Sequence, residues 1–444
     1  MSAAPQRVAQ PALDRLESLW HERHAAVPGV RDVQRRALDT VIGRGLPGPR
    51  DEAFKYTSLR RFGTRKFELP APGPTVDATE VERRLLPASG WHRLVFIDAR
   101  LAPELSTPFP AARGVSVRSL ADVAAREPDK LAARLERDAR EDSGVFAALN
   151  AAFCEDGLLI ELDAGSEIAE PVYVVHVTTG RNQSPALHSR IIVEAGRDAR
   201  AILLEHHVGL SAREAYVNCV TDVQLGEGAR LEHYRIQEES AQSFHFAHLD
   251  ARLGERASLV DHRVALGAAL DRTDIDIHLD GPGAEVRLHG LFVADDRRHV
   301  DTHTRVDHVA PRTFSDEDYR GLAGDHGRGV FNGKVVVHRD AQQIEARQSN
   351  RNLLLSPDAE IDTKPELEIY ADDIKCSHGA TTGQIDPTAL FYLRSRAIPE
   401  AEARSLLTHA FAATVIERMS IGPAREYLDQ HLLERFRDSA GGRR

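Results

Sequence analysis

Between Gly165 and Gly281 the chain turns over again and again at a similar tetrapeptide, and this recurrence limits its fold more than any other feature. The copies are Gly165-Ser166-Glu167-Ile168, Gly196-Arg197-Asp198-Ala199, Gly226-Glu227-Gly228-Ala229, Gly254-Glu255-Arg256-Ala257 and Gly281-Pro282-Gly283-Ala284. Their leading glycines stand 31, 30, 28 and 27 residues apart (165 to 196, to 226, to 254, to 281). Ser356-Pro357-Asp358-Ala359 reads as a weaker closing member, and His338-Arg339-Asp340-Ala341 as another. Each turn is preceded by an apolar alternation such as Val223-Gln224-Leu225 and followed by alanine-x-aliphatic, as in Ala229 with Leu231, Ala257 with Leu259 and Ala284 with Val286. A period of two puts these on one strand face and Arg230, Ser258 and Glu285 on the other. Strands repeating at a fixed interval, with no helices between, are the signature of a β-solenoid. One coil cannot bury its inner face alone; stacked coils share a core. A β-sandwich with regular turns competes, but it does not need the same turn chemistry at even spacing. The expectation is a mainly β protein with a parallel β-helix core over residues 146–385, between helical regions at 1–145 and 386–444.

The flanks have a different texture. Leu13, Leu16, Leu19 and Trp20 fall at helical spacing, as do Val33, Ala37, Leu38 and Val41 before Gly43 and Gly45. Residues 70–145 mix Pro-rich linkers, a short strand at Leu94–Ile97 and a charged helix from Leu131 to Glu141. Asp386-Pro387 reads as a helix start, an N-cap carboxylate followed by proline at the first helical position. The apolar stripes beyond it either pack on the solenoid's end or offer a face to a partner.

With 57 Lys and Arg against 68 Asp and Glu, the net charge of −11 argues against a nucleic-acid partner, which needs a basic stripe. No apolar run approaches the length of a membrane span, and Met1 to Leu19 has no export-type apolar core, so no membrane role and a cytoplasmic location are expected. Cys154, Cys219 and Cys376 form no Cys-x-x-Cys pair, which disfavours a disulfide framework or a zinc knuckle. The 21 histidines are compatible with metal chemistry or with a polar exterior.

Three constellations bear on chemistry. The run from Gly324 to Lys334 resembles a phosphate-binding loop, but Arg328 stands where the loop needs glycine and Val335 where it needs a hydroxyl. A turn between coils is expected there, without nucleotide hydrolysis. On an extended strand His299, Asp301 and His303 share one face, with Val300, Thr302, Thr304 and Val306 on the buried one. Either these are two imidazoles and a carboxylate at a metal, or a solvated polar face. Cys376 and His378 share a strand face with Ile374. They read either as a soft ligand pair for iron or a cluster, or as a small buried thiol with a hydrogen-bonded histidine nearby.

The stretch Arg351 to Asp373, continued by Lys375-Cys376-Ser377-His378-Gly379-Ala380-Thr381, resembles the signature of the SufB/SufD family. Phe391-Tyr392-Leu393-Arg394-Ser395-Arg396 is similar to it too, and so is Asp51-Glu52-Ala53-Phe54-Lys55-Tyr56-Thr57, although the family usually has Trp at Phe54. The Lys375–Thr381 segment resembles the SufD branch; SufB carries a different segment there and further cysteines. The resemblance implies a right-handed parallel β-helix between helical ends and a non-catalytic scaffold in a complex with SufB and the ATPase SufC. It implies that Phe391, Tyr392 and Arg394 contact SufC, and that His378, with Cys376 and Lys375 beside it, lies at the SufB seam. There it helps hold a transient iron–sulfur cluster. A reduced flavin in the complex and self-association of the isolated chain stay open. The rival functions are a β-helical polysaccharide lyase or hydrolase, and a self-associating structural solenoid without metal chemistry.

Overall fold

In the computed structural model, which describes residues 10–22, 28–70, 76–87, 90–109, 113–140, 143–181 and 184–440, two facing sheets form a parallel β-solenoid. Successive strands alternate between the sheets, so each coil gives one strand to each. The first sheet stacks His92–Ile97, Val172–Thr178, Arg200–Gly209, Arg230–Glu238, Ser258–Ala265, Glu285–Ala294, Phe314–Ala323, Ile344–Leu354 and Ile374–Gln384. The second stacks Asp156–Leu162, Ala186–Ala195, Tyr216–Leu225, Phe244–Leu253, Leu270–Leu279, His299–His308, Arg328–Val337 and Glu360–Ile369. Register is strict: Leu231 lies opposite Leu259, and Leu259 opposite Val286, so the alanine-x-aliphatic repeat becomes an apolar column inside the coils.

The recurring turns owe their sequence to one left-handed residue each: Gly165 (φ 72°), Asp198 (58°), Gly228 (67°), Arg256 (54°) and Gly283 (72°). That residue points its N–H along the stack. Asp198 donates to the Glu227 carbonyl at 2.8 Å and Gly228 to the Glu255 carbonyl at 2.8 Å. In the first turn Gly165 itself is the left-handed residue, so this turn begins two residues before the expected tetrapeptide. The series continues along the same edge through His338–Ala341, between strands Arg328–Val337 and Ile344–Leu354. Ser356–Ala359 belongs to the opposite edge, joining Ile344–Leu354 to Glu360–Ile369. Both edges must reverse the chain in a few residues, so local turn chemistry cannot say which edge a turn occupies.

Gly324 and Gly327 sit in a turn between coils, as expected, while Gly329 and Gly333 lie in the strand Arg328–Val337. A Cβ on Gly329 would meet the Phe292 ring at 2.4 Å, and one on Gly333 would meet Gln348 Nε2 at 2.2 Å. Steric room inside the coil, not phosphate binding, explains these two glycines. Gly329→Val is therefore expected to lower the unfolding free energy by about 1–3 kcal/mol through overpacking. Gly324→Ala, whose new carbon would lie 3.8 Å from Leu355, should shift it by no more than about 0.5 kcal/mol in the same denaturant titration.

Helices cover both outer faces. Pro11–Glu22, Pro28–Arg44 and Val145–Phe153 close over the second sheet, where Phe62 meets Tyr216 at 4.9 Å and Phe246 at 5.2 Å between ring centroids. The helix expected from Leu131 to Glu141 runs instead over Pro128–Leu135, following the proline at its start; Glu141 lies outside the described residues, as do residues 1–9. Glu400–Ile416, Gly422–Ala440 and the link between them lay Val415, Met419, Leu428 and Leu432 on Ile236, Val264 and Leu291 of the first sheet. The tail thus packs along the solenoid's side.

The two ends of the stack differ. At the start, the antiparallel strands Arg100–Leu101 and Val115–Ser119 finish the first and second sheets. At the far end Ile374–Gln384 and Glu360–Ile369 are last in their sheets, with no further strand among the described residues.

Candidate functional site

The far end gathers the residues singled out from the Lys375–Thr381 segment. Strand Ile374–Gln384 bonds to Ile344–Leu354 on one side only, with Ala346 opposite Cys376 and Gln348 opposite His378. Cys376 is half-buried with Ile374 and Leu367 against Val335 and Ala346. Burial pushes its thiol up, opposed by the Ala346 backbone hydrogen bond. His378 shares that inward face but is exposed, because no coil follows, and Lys375 is exposed as well. Tyr370, 61 % exposed, stands at the corner between the last two strands.

Beyond this strand, helix Pro387–Ser395 is capped by the Asp386 carboxylate, which accepts from Thr388 N–H at 2.8 Å, and it buries no residue. Phe391 is 72 % and Tyr392 54 % exposed. Arg396 lies over the Tyr392 ring at 4.4 Å, and Arg394 pairs with Glu400 at 3.3 Å. Two large aromatic side chains are thus exposed on one helix, with Arg396 beside Tyr392.

His299, Asp301 and His303 share the outward face of strand His299–His308, and their partners are protein groups. Thr57 Oγ1 lies 2.8 Å from His299 Nε2 and donates to Asp301, which also accepts from Arg272 and lies 3.0 Å from His303 Nε2. Arg272 in turn donates to the Ala53 carbonyl at 2.8 Å and covers the Phe54 ring at 4.7 Å. This is how the Asp51–Thr57 segment is held against the second sheet.

One cluster escaped the sequence reading. Part of the solenoid's interior is polar. Glu205 there accepts from Arg235 at 2.9 Å on both oxygens and from Thr221 at 2.7 Å, and meets His233 Nε2 at 2.7 Å. Burial pushes its carboxyl up, but Arg235, His207 and His233 hold it well below the usual range. Cys219 lies 3.6 Å from His245 Nε2; burial opposes its ionisation, yet Arg235, His245 and His207 bring the thiol down to about 5. The signal was available. Parity with Leu231 marks His233 and Arg235 as inward, and parity with Val223 does the same for Cys219 and Thr221.

Farther along the interior, burial raises the Glu317 carboxyl from 4.5 to about 7 against hydrogen bonds from Thr304 and Gln348. The folded state thus binds this proton more tightly than the unfolded chain. Its contribution is complete below about pH 4.5 and is lost as the pH rises to about 7. Glu317→Gln is expected to raise the unfolding free energy at about pH 8 by on the order of 1–3 kcal/mol, with no gain at about pH 4. Urea titrations at the two pH values check this.

A parallel solenoid with helical flanks, an uncovered last coil and a cysteine–histidine pair beside it matches a known class in sequence. Residues 176–411 match the SufBD core domain of the SUF system for FeS cluster assembly, and residues 18–174 match the SufBD protein N-terminal region. The chain belongs to the SufBD family of iron–sulfur cluster assembly proteins. Within it the chain is SufD-like: it is 32 % identical to the iron–sulfur cluster assembly protein SufD of Escherichia coli, over 94 % of this chain and 95 % of that one. It is 31 % identical to an iron–sulfur cluster assembly SufBD family protein of Synechocystis, over 96 % and 97 % of the two chains. Bacillus subtilis SufD is 21 % identical over 92 % and 94 %.

Proposed function

We propose that this chain is a scaffold subunit without turnover of its own, working in the cytoplasm, that supplies His378 to a nascent cluster completed by a SufB-like partner. A SufC-like ATPase docks on the surface around Phe391 and Tyr392. The observation that carries the reading is the last strand, Ile374–Gln384, which among the described residues has no strand on its outer side, beside an exposed imidazole. Such an edge is a template for pairing with another chain. Ligand arithmetic supports a shared site. A cluster takes about four protein ligands, mostly thiolates, whereas Cys154 and Cys219 are buried away from this edge and only Cys376 lies on it. The cluster is cargo here, and the partner brings the remaining ligands.

Hydrogen exchange tests the seam. Amides of residues 374–384 that point away from Ile344–Leu354 exchange freely in the isolated chain and become protected when a SufB-like partner is added; unchanged exchange in a formed complex refutes the assignment. For the ATPase, Phe391→Ala with Tyr392→Ala should weaken capture by roughly tenfold or more, as for aromatic anchors at an interface centre. The unfolding midpoint should not move, since neither ring is buried. Retained capture by the double variant removes these residues from the docking surface. Truncation after Ile385 is a poor substitute, because it would uncover Ile236, Val264 and Leu291.

A further inference from the structure

We infer that the interior of the solenoid holds one thiophilic divalent cation, zinc or ferrous iron, on His207, Cys219 and His245. The three residues come from strands Arg200–Gly209, Tyr216–Leu225 and Phe244–Leu253 on both sheets, and all are buried. One ligand atom from each lies within 4.8 Å of the others. A tetrahedral zinc ion with N and S ligands needs donors roughly 3.5 Å apart; Cys219 Sγ lies 3.6 Å from His245 Nε2.

His207 is the decisive residue. It is buried, yet neither ring nitrogen makes a hydrogen bond: Nε2 stands 3.5 Å from Glu205 and Nδ1 3.9 Å from Glu239. A buried imidazole without a hydrogen bond costs free energy that a bound cation would recover. Its ring stacks on His176 at 4.4 Å and stands at 83° to His245, so packing already fixes its plane. His245 is prepared in the same sense, with Nδ1 2.8 Å from the Glu239 carboxylate while Nε2 faces the thiol. A carboxylate behind a ligating imidazole is the usual outer support of such metals. Two imidazoles and one thiolate suit zinc, iron or cobalt and not the hard cations magnesium or calcium. Glu205, although 3.5 Å from His207 Nε2, is held by Arg235, His233 and Thr221, and Glu239 is engaged by His245 and Gln237. Three protein donors therefore remain, with the fourth position open to water. This site is separate from the shared seam at His378 and does not depend on it.

Because all three ligands are buried, the test supplies metal while the chain folds, during expression. The full-length chain is purified alone from cells grown with added zinc, with added iron without oxygen, or with added cobalt, and is washed with chelator. Elemental analysis should find about one equivalent per chain with zinc or with iron, and the arm that fills the site names the ion. Cys219→Ala and His245→Ala should lower it roughly tenfold or more, whereas Cys376→Ser and His378→Ala should retain it. Cobalt-grown protein should show thiolate-to-cobalt charge-transfer absorption that Cys219→Ala abolishes. If His245→Ala does not fold, the Cys219→Ala pair of readouts decides alone. A metal-free wild type in every arm, or metal that survives Cys219→Ala or leaves with Cys376→Ser, overturns the proposal.

Discussion

Replacing Glu205 by alanine is expected to lower the unfolding free energy by about 3–5 kcal/mol, the range for breaking a buried ion pair from one side. The size follows from what is left behind. Arg235 is 3 % exposed, and its Nε and Nη1 have no hydrogen-bond partner. Its interactions run through Nη2 to Glu205 and Thr221. Without Glu205, a guanidinium that cannot deprotonate is stranded in the interior. His233 loses one of its two carboxylates, keeping Asp261 at 2.7 Å. Asp39→Ala breaks an ion pair too, but Arg35 and Asp39 are 46 % and 53 % exposed, so a change within about 0.5 kcal/mol is expected. Adding Arg235→Met to Glu205→Ala should restore much of the loss, since the pair then leaves no bare charge. Denaturant unfolding of the three variants decides; equal midpoints for Glu205→Ala and wild type would show that the polar interior does not help hold the coils.

His378→Ala should do the reverse, sparing the fold and removing function. The side chain is exposed on the last strand, so the unfolding free energy should stay within about 0.5 kcal/mol of wild type. If the imidazole is a ligand at a seam, its loss leaves the partner's ligand set one short. Maturation of an iron–sulfur reporter enzyme, in cells whose only copy is the variant, should then fall by roughly tenfold or more, as for loss of a metal-supporting group. His378→Cys, which offers a soft donor at the same place, should recover part of it. Normal maturation with alanine would dismiss His378 from the site.

The fold was legible because a solenoid writes its geometry locally. The alternation Val223-Gln224-Leu225 and the alanine after each turn are direct traces of inward columns. The edges were not legible: Ser356–Ala359 has the right chemistry for the Gly-turn edge but lies on the other. Parity marked the interior as partly polar, but which polar residues meet there was not legible, and for a physical reason. His207, Cys219 and His245 are distant in sequence and adjacent only because neighbouring coils stack and the two sheets face each other. His299 and Asp301 show the opposite limit. Their strand face was readable, but their engagement with Thr57 spans 242 and 244 residues, and no local pattern encodes a contact of that kind.

The asymmetry of the stack also governs how large an assembly can grow. A rod raw at both tips would add copies head to tail without end, because a heterologous contact that does not close makes a filament. Here the first sheet ends at one tip in Arg100–Leu101, only two residues long, a blunted edge, whereas the other tip ends in the long strand Ile374–Gln384. Joining through that tip consumes it. If the proposed seam forms there, a pair of rods uses up that long edge, and the stack stops growing at two.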